Sequence, residues 1–449
     1  MTAAALADLI ESTADWFFMP WVVAVLLGTG LVLTVRTRFV QLRRFGDACR
    51  VAFVRKETGR EGALTPFQAF MTSLAASIST GNIAGVATAI VSGGPGALFW
   101  IWVYGFVAMA IKFAEAVLGV TYREVLNGSE RPRAPSKVLT GPMYYLRDGL
   151  RSPALAWSFA LVAAVAALTT TPFSQPNSMA LVLNTVVGVP RLVSGIVIAV
   201  LTWLVIIGGI QAIGRAAEKL SPLKVTLYLL GGLVVILTNA ARLPDVLSTI
   251  VSEAFSTRAA AGGAVGWLVA MRYGIARGIY ANEAGYGTAA VAYGTARSNQ
   301  PTLQGLNAVM ETFIVSFVTS TISALTILLT GVWQSGLTSS AAVATAFDTA
   351  MPGIGGYIVA FCAFLFGYTT LIGWAFYGEQ FLEYIFGPRV VTPYRWIYCL
   401  LIPLGAVSKV DLVWAWGDLM NALQIFPNII GVLGLSGLVA KIARERSTA

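Results

Sequence analysis

Histidine is absent from the 449 residues, and the three cysteines, Cys49, Cys362 and Cys399, are far apart in the chain. That inventory offers no imidazole base, zinc tetrad or disulfide framework. Charge is also scarce: 11% of residues are Asp, Glu, Lys or Arg, against roughly 25% in soluble domains. Serine and threonine are plentiful, but no histidine activates them and no lysine partner is evident, so an enzyme is not expected. The repeated charged rings of a channel pore are missing too.

What is present is apolar. The chain is 57% hydrophobic, with a mean hydropathy of +0.74. It reads as an integral membrane protein, its helices packed as a single transmembrane domain in a lipid bilayer. The net charge of +9 does not point to nucleic acid, because the basic residues lie between apolar segments rather than on one water-facing surface. The start, MTAAALADLIESTADWF, has Asp8, Glu11 and Asp15 in place of the basic region of a cleavable signal, and is expected to be a retained amphipathic lead-in.

Eleven candidate spans lie near 17 to 35, 66 to 92, 97 to 122, 154 to 187, 192 to 212, 222 to 240, 262 to 292, 305 to 331, 355 to 386, 393 to 407 and 411 to 440. Basic residues favour the cytoplasmic side. Arg36, Arg38, Arg43, Arg44, Arg50, Arg55, Lys56 and Arg60 fill the first loop; Arg123, Arg131, Arg133, Lys137, Arg147 and Arg151 fill the third. Following alternate loops puts 23 of the 30 basic residues on one side, with Lys224 counted at the mouth of the sixth span. The N-terminus is expected outside and the C-terminus in the cytoplasm, with Arg191, Arg242, Arg258 and Lys409 in the opposite loops.

Two spans are interrupted at mid-depth. One carries Ser79-Thr80-Gly81-Asn82, the other Asn282-Glu283-Ala284-Gly285. Small residues such as Gly81 and Gly85 could serve helix packing alone, but buried amides and a carboxylate need partners. Unwound backbone within a bilayer is tolerated where it is enclosed by protein or lines a cavity. Half-helix N-termini then offer amides to an anion, and freed carbonyls suit a cation. Residues 1–60 form an extra helix and cytoplasmic loop, 61–240 a first group of five helices and 262–440 a second, each group opening on an interrupted helix. Matching breaks in two halves point to an inverted-repeat secondary transporter with a midplane site.

The segments GALTPFQAFMTSLAASISTGNIAGVATAI, GGPGALFWIW, KFAE, TYRE, TGPMYYL, ARGIYANEAGYGTA, LIGWAFYGE and DLVWAWGDLMNALQIFPNIIGVL resemble, in order over nearly the whole chain, the bacterial alanine or glycine:cation symporters. The resemblance implies an all-α, eleven-helix protein of the leucine-transporter fold, a five-plus-five inverted repeat with one extra N-terminal helix. It implies sodium-coupled uptake of a small neutral amino acid across the bacterial inner membrane, with no obligate protein partner. Proton coupling or exchange is the alternative, with Glu283 as the first carboxylate to consider. Ser79 stands where the family has glycine, Tyr286 and Thr288 where it has Leu and Ser, and Tyr293 at a histidine position.

Carried over residue by residue, the resemblance assigns the substrate carboxylate to the amides around Ser79, Thr80, Gly81 and Asn82. The ammonium goes to freed carbonyls near Ala281 and Asn282, beside Gly285. Gln175 and Ser178, between the prolines of the fourth span and after them, look like substrate contacts, and Phe173 like a cover. The co-transported sodium falls to the Thr369 and Thr370 hydroxyls with the carbonyls of Ala75, Ile78 and Phe366. Outside that set, Lys112 and Glu115 are spaced for a local pair, Glu283 could neutralise Arg277 or hold the broken backbone, and Glu311 and Glu379 are placed on polar seams.

Overall fold

The structure, a computed structural model, describes residues 12, 13, 16, 18 to 53, 61 to 126, 137 to 257 and 266 to 445. The acidic lead-in residues Asp8, Glu11 and Asp15, and the loop residues Arg55, Lys56, Arg60, Arg131, Arg133 and Arg258, lie outside them. The described chain is almost wholly helical, apart from one antiparallel strand pair, Glu124–Leu126 with Lys137–Leu139.

Among the described residues, six helices are long and apolar enough to cross a membrane: Ala97–Thr121, Pro153–Val187, Gly209–Thr238, Pro301–Thr330, Gly355–Phe386 and Pro388–Val407. Two bent pairs, Pro66–Ser77 with Thr80–Gly93 and Leu412–Gly434 with Ser436–Arg444, each turn by 57° and raise the number to eight. Of the remaining expected spans, the first, fifth and seventh fall on shorter helices. Pro20–Arg36 and Arg191–Ile206 are short, and the seventh is cut into Gly266–Asn282 and Thr288–Gly294. The sequence places the start of the sixth span too late. Its helix begins at Gly209 and runs through Pro222, so Lys224 lies well inside it and not at its mouth.

Local chemistry explains the first interruption. Thr65 opens helix Pro66–Ser77 with a reciprocal capping box: its hydroxyl accepts from Gln68 N at 3.1 Å and its own amide donates to Gln68 Oε1 at 3.2 Å. The helix ends at Ile78. Ser79 is extended, and its amide donates to Asn82 Oδ1 at 3.0 Å instead of to Ala75 O. A single turn, Thr80–Asn82, leads into helix Ala84–Gly93.

At the second interruption Glu283 has φ +57°, and Gly285 and Gly287 have φ +95° and +80°. Left-handed backbone is cheap for glycine and strained for glutamate. Glu283 is held there by donors to its carboxylate, Trp374 Nε1 at 2.7 Å and Thr288 Oγ1 at 2.9 Å.

The two interrupted helices cross so that Pro66–Ser77 packs beside Thr288–Gly294 and Ala84–Gly93 beside Gly266–Asn282. They therefore run antiparallel, break against break. Helix Ala97–Thr121 lies along both halves of the second, with Gly119 against the Ala290 backbone and Gly274 against Ala97 O, contacts where a Cβ would come within 2.4 and 2.3 Å of backbone atoms.

Candidate functional site

The expected site residues converge where the breaks face each other. Ser79, Thr80, Gly81, Asn82, Gln175, Ser178, Ala281, Asn282 and Gly285 are all buried, and Phe173 is half-buried. Helix Pro301–Thr330 anchors both asparagines through one π-helical turn, Ile314–Thr319. Asn282 Nδ2 donates to Ser316 Oγ at 3.2 Å, Asn82 Nδ2 to Thr319 Oγ1 at 3.4 Å, and Ser323 Oγ donates to Asn82 O at 2.6 Å. Such turns often mark functional places in helices. Sequence periodicity gave no warning of it, because a π-turn shifts register without changing composition.

On the anion-binding side, the amides assigned to a substrate carboxylate have acceptors within the protein. Gln175 Oε1 accepts from Thr80 N at 3.2 Å and from Thr80 Oγ1 at 2.8 Å. Ser79 Oγ accepts from Gly81 N at 3.0 Å, and Ser79 O from Asn82 N at 3.0 Å. Tyr280 covers Gly81, where a Cβ would lie 2.6 Å from the ring, and its hydroxyl donates to Ser174 at 3.0 Å. Ser174 is a site neighbour the sequence reading passed over. Asn177, two residues after Gln175, ties helices together by donating to Gly405 O and Ser408 O at 3.0 and 2.8 Å.

At the second break, the amides that would ordinarily serve Ala281 O and Asn282 O are those of Gly285 and Tyr286. Gly285 N donates to Glu115 Oε1 at 2.9 Å and Tyr286 N to Glu283 O at 3.1 Å. The two carbonyls are thus released from the helix, as an ammonium site requires. Glu115 also accepts from Gly287 N at 3.1 Å and from Asn428 Nδ2 at 2.8 Å, so it organises the break. The ion pair expected within its own helix forms elsewhere: Lys112 Nζ donates to Glu311 Oε1 at 3.0 Å. Glu311 also accepts from Ser73 and Tyr293, both at 2.7 Å, and from Ser77. Arg277 pairs with Asp418 at 3.0 Å rather than with Glu283, and Glu379 with Arg395 at 2.6 Å.

The five oxygens expected around sodium are brought together. Thr369 Oγ1 lies 3.1 Å from Ala75 O and 3.2 Å from Phe366 O; Thr370 Oγ1 lies 3.2, 2.9 and 3.0 Å from the carbonyls of Ala75, Ala76 and Phe366. A nitrogen is already among them. Lys224 Nζ donates to Ala75 O at 3.1 Å, Ile78 O at 2.6 Å and Thr369 Oγ1 at 2.5 Å, and sits 5.2 Å from the centre of the Phe366 ring. The donor set therefore fits an ammonium. A sodium ion there would have to compete with the lysine nitrogen for the same oxygens.

With this geometry in hand, the comparisons decide the family. A profile of the sodium:alanine symporter family matches residues 3–447. The chain belongs to that family. The members of the sodium:alanine symporter family are transporters, not enzymes, and this one is a multi-pass membrane protein. Among its relatives, the sodium/alanine symporter AgcS of Methanococcus maripaludis is 38% identical over 441 residues, covering 96% of this chain and 95% of that one. The putative sodium/proton-dependent alanine carrier protein YrbD of Bacillus subtilis is 31% identical, covering 96% and 90%. The structure of MhsT in complex with L-phenylalanine matches with a TM-score of 0.58 at 12% identity, covering 86% of this chain and 99% of that one. At that identity the match shows the fold alone, that of the leucine transporters.

Two sets of contacts flank the buried site. At one, Ala63 N and Leu64 N donate to Thr295 O at 2.9 and 3.1 Å, and Arg297 N to Leu64 O at 2.7 Å. Arg123 clamps the same strap through Gly294 O and Ser298 O, both at 2.9 Å, and Ala296 O at 2.5 Å. At the other, the Arg277–Asp418 pair lies beside Trp414, whose ring is 5.0 Å from that of Tyr280.

Proposed function

We propose that this symporter carries a small neutral amino acid, alanine or glycine, across the bacterial cytoplasmic membrane by alternating access, driven by a coupled cation. One observation carries the reading: two antiparallel interrupted helices bring amides at one break and released carbonyls at the other into the same buried region, complementary to a carboxylate and an ammonium. The substrate carboxylate displaces the Gln175 carbonyl from Thr80, and the ammonium meets Ala281 O and Asn282 O, with Ser178 and Phe173 around the small side chain. Eleven spans arranged as five plus five after an extra N-terminal helix, with the N-terminus outside, place the Arg123 clamp on the cytoplasmic face and the Arg277–Asp418 pair on the outer face. Opening breaks one closure at a time.

Sodium is the coupled ion that the names of the relatives put first, and one of those names adds the proton. A second reading, proton coupling or exchange, is favoured by Lys224 Nζ lying among the oxygens assigned to sodium. Reconstitution tests both: radiolabelled alanine or glycine should enter proteoliposomes uphill when an inward ion gradient is imposed. Accumulation that persists with sodium and proton gradients both absent would refute symport. Failure of alanine, glycine and serine alike to exchange across the membrane would refute the transport reading itself.

A further inference from the structure

Helix Pro66–Ser77 ends inside the protein, and its end is a place built for positive charge. Ser79 N is turned to Asn82, Thr80 N to Gln175 and Asn82 N to Ser79 O. The carbonyls of Ala75, Ala76 and Ile78 thereby lose their ordinary helical donors at the negative end of the half-helix dipole. Thr370 serves Ala76 O. Ala75 O and Ile78 O are served by Lys224.

We propose that the Lys224 ammonium is this transporter's own cation at that place, so that the first interrupted helix holds its substrate-binding shape without sodium there. The meaning for transport rests on the reading given above; the ion test below does not.

The lysine is placed for this role by its helix and matched to it by its chemistry. Gly209–Thr238 packs against both Pro66–Ser77 and Gly355–Phe386, and Lys224 is fully buried between them. Two of its acceptors are carbonyls, which cannot donate in return. The third, Thr369 Oγ1, lies within donating distance of Ala75 O and Phe366 O, which leaves its lone pairs for the lysine. Three acceptors meet the three N–H bonds of an ammonium, and the Phe366 ring face adds a favourable surface. A neighbouring hydroxyl reinforces the position: Ser221, one turn earlier, donates to Met71 O at 3.1 Å and pins the same helix to the same half-helix.

A tether alone would require only one of these bonds. The consequence of all three is that the bridge between the first break and the Thr369–Thr370 helix, which a bound ion would supply, is covalent in origin and always present. A ligand that makes no differential contact with two states cannot shift them, so sodium cannot promote amino-acid binding through oxygens it does not reach.

The test uses the full-length protein in two assays: saturable binding of 22Na+ to the purified protein, and counterflow of radiolabelled alanine in proteoliposomes with sodium or choline as the only salt cation. Wild-type counterflow should agree within about twofold between the two salts, with no saturable 22Na+ binding displaced by lithium or sodium. Lys224→Ala, and Lys224→Met as the variant that keeps side-chain length, should lose at least about tenfold of their exchange in choline, with Lys224→Ala gaining saturable 22Na+ binding and recovering exchange in sodium. Wild-type exchange that collapses about tenfold in choline overturns the proposal, as does 22Na+ binding of equal strength in wild type and Lys224→Ala. The wild-type arms decide the matter even if neither variant folds. Absence of counterflow in both salts refutes transport of these amino acids, while the 22Na+ comparison still judges Lys224.

Discussion

Gln175 and Thr80 are joined twice, the Gln175 carbonyl accepting from both the amide and the hydroxyl of Thr80 at 3.2 and 2.8 Å. The fourth span thus supplies an uncharged oxygen at the amide expected to receive a substrate carboxylate. The bond keeps the buried helix end satisfied when no anion is there, as a buried amide requires.

Replacing that oxygen with a charged one should block the exchange of acceptors. Gln175→Glu would present a tethered carboxylate to Thr80 N, and the apparent KM for alanine counterflow should rise at least about tenfold, or about 1.4 kcal/mol. An unchanged KM in a folded variant would place the carboxylate elsewhere.

Ser79 acts on the neighbouring donor. Its hydroxyl takes up Gly81 N at 3.0 Å, and its φ of −109° is open to any residue, so glycine is not needed there for conformation. Ser79→Gly should release the Gly81 amide to the substrate and tighten glycine or alanine binding by about fivefold, near 1 kcal/mol, the net value of one such bond. Weaker binding, measured by counterflow competition, would show that the serine hydroxyl itself contacts substrate.

Thr370 bonds the Ala76 carbonyl at 2.9 Å on the same helix as Thr369, but its hydroxyl is not among the acceptors of Lys224. Thr370→Ala should slow alanine exchange severalfold, by loss of about 1 kcal/mol of helix-to-helix bonding, and equally in sodium and choline. A selective loss in sodium would return the ion to this pair of hydroxyls.

The Lys112–Glu311 pair should be judged by stability. Both side chains are at most 1% exposed, and Glu311 gathers Ser73, Ser77 and Tyr293 besides. Glu311→Leu leaves an unpaired buried ammonium and should cost about 3–5 kcal/mol, seen as a lower Tm in detergent, whereas adding Lys112→Met should recover much of it. A double variant no more stable than the single one would mean that the hydroxyl network, not the charge pair, is what matters.

The two breaks could be read from composition because their cause is local. Glycine, asparagine and a carboxylate at mid-span are poor helix formers in a place where unpaired backbone is expensive. The partners could not be read in the same way. Lys112 lies one turn from Glu115 in sequence, yet the ion pair forms with Glu311, 199 residues away, because helix packing and not chain spacing sets which side chains meet. Arg277 is likewise drawn to Asp418, leaving Glu283 to Trp374 and Thr288.

Lys224 shows where this division falls. Residues 213 to 221 include Arg215, Glu218 and Lys219, a polar run that by itself reads as a loop, and Pro222 and Lys224 just after it read as the mouth of the next span. In the fold the helix continues through it from Gly209, since neighbouring helices can satisfy the carbonyl that a proline leaves unpaired. The sequence alone determined that this chain is membrane-embedded and that two helices break at mid-depth, and the family resemblance named five residues whose oxygens meet beside the first break. Only the tertiary structure decided that a lysine from a third helix stands among those oxygens, because that meeting depends on long-range packing and not on any local pattern.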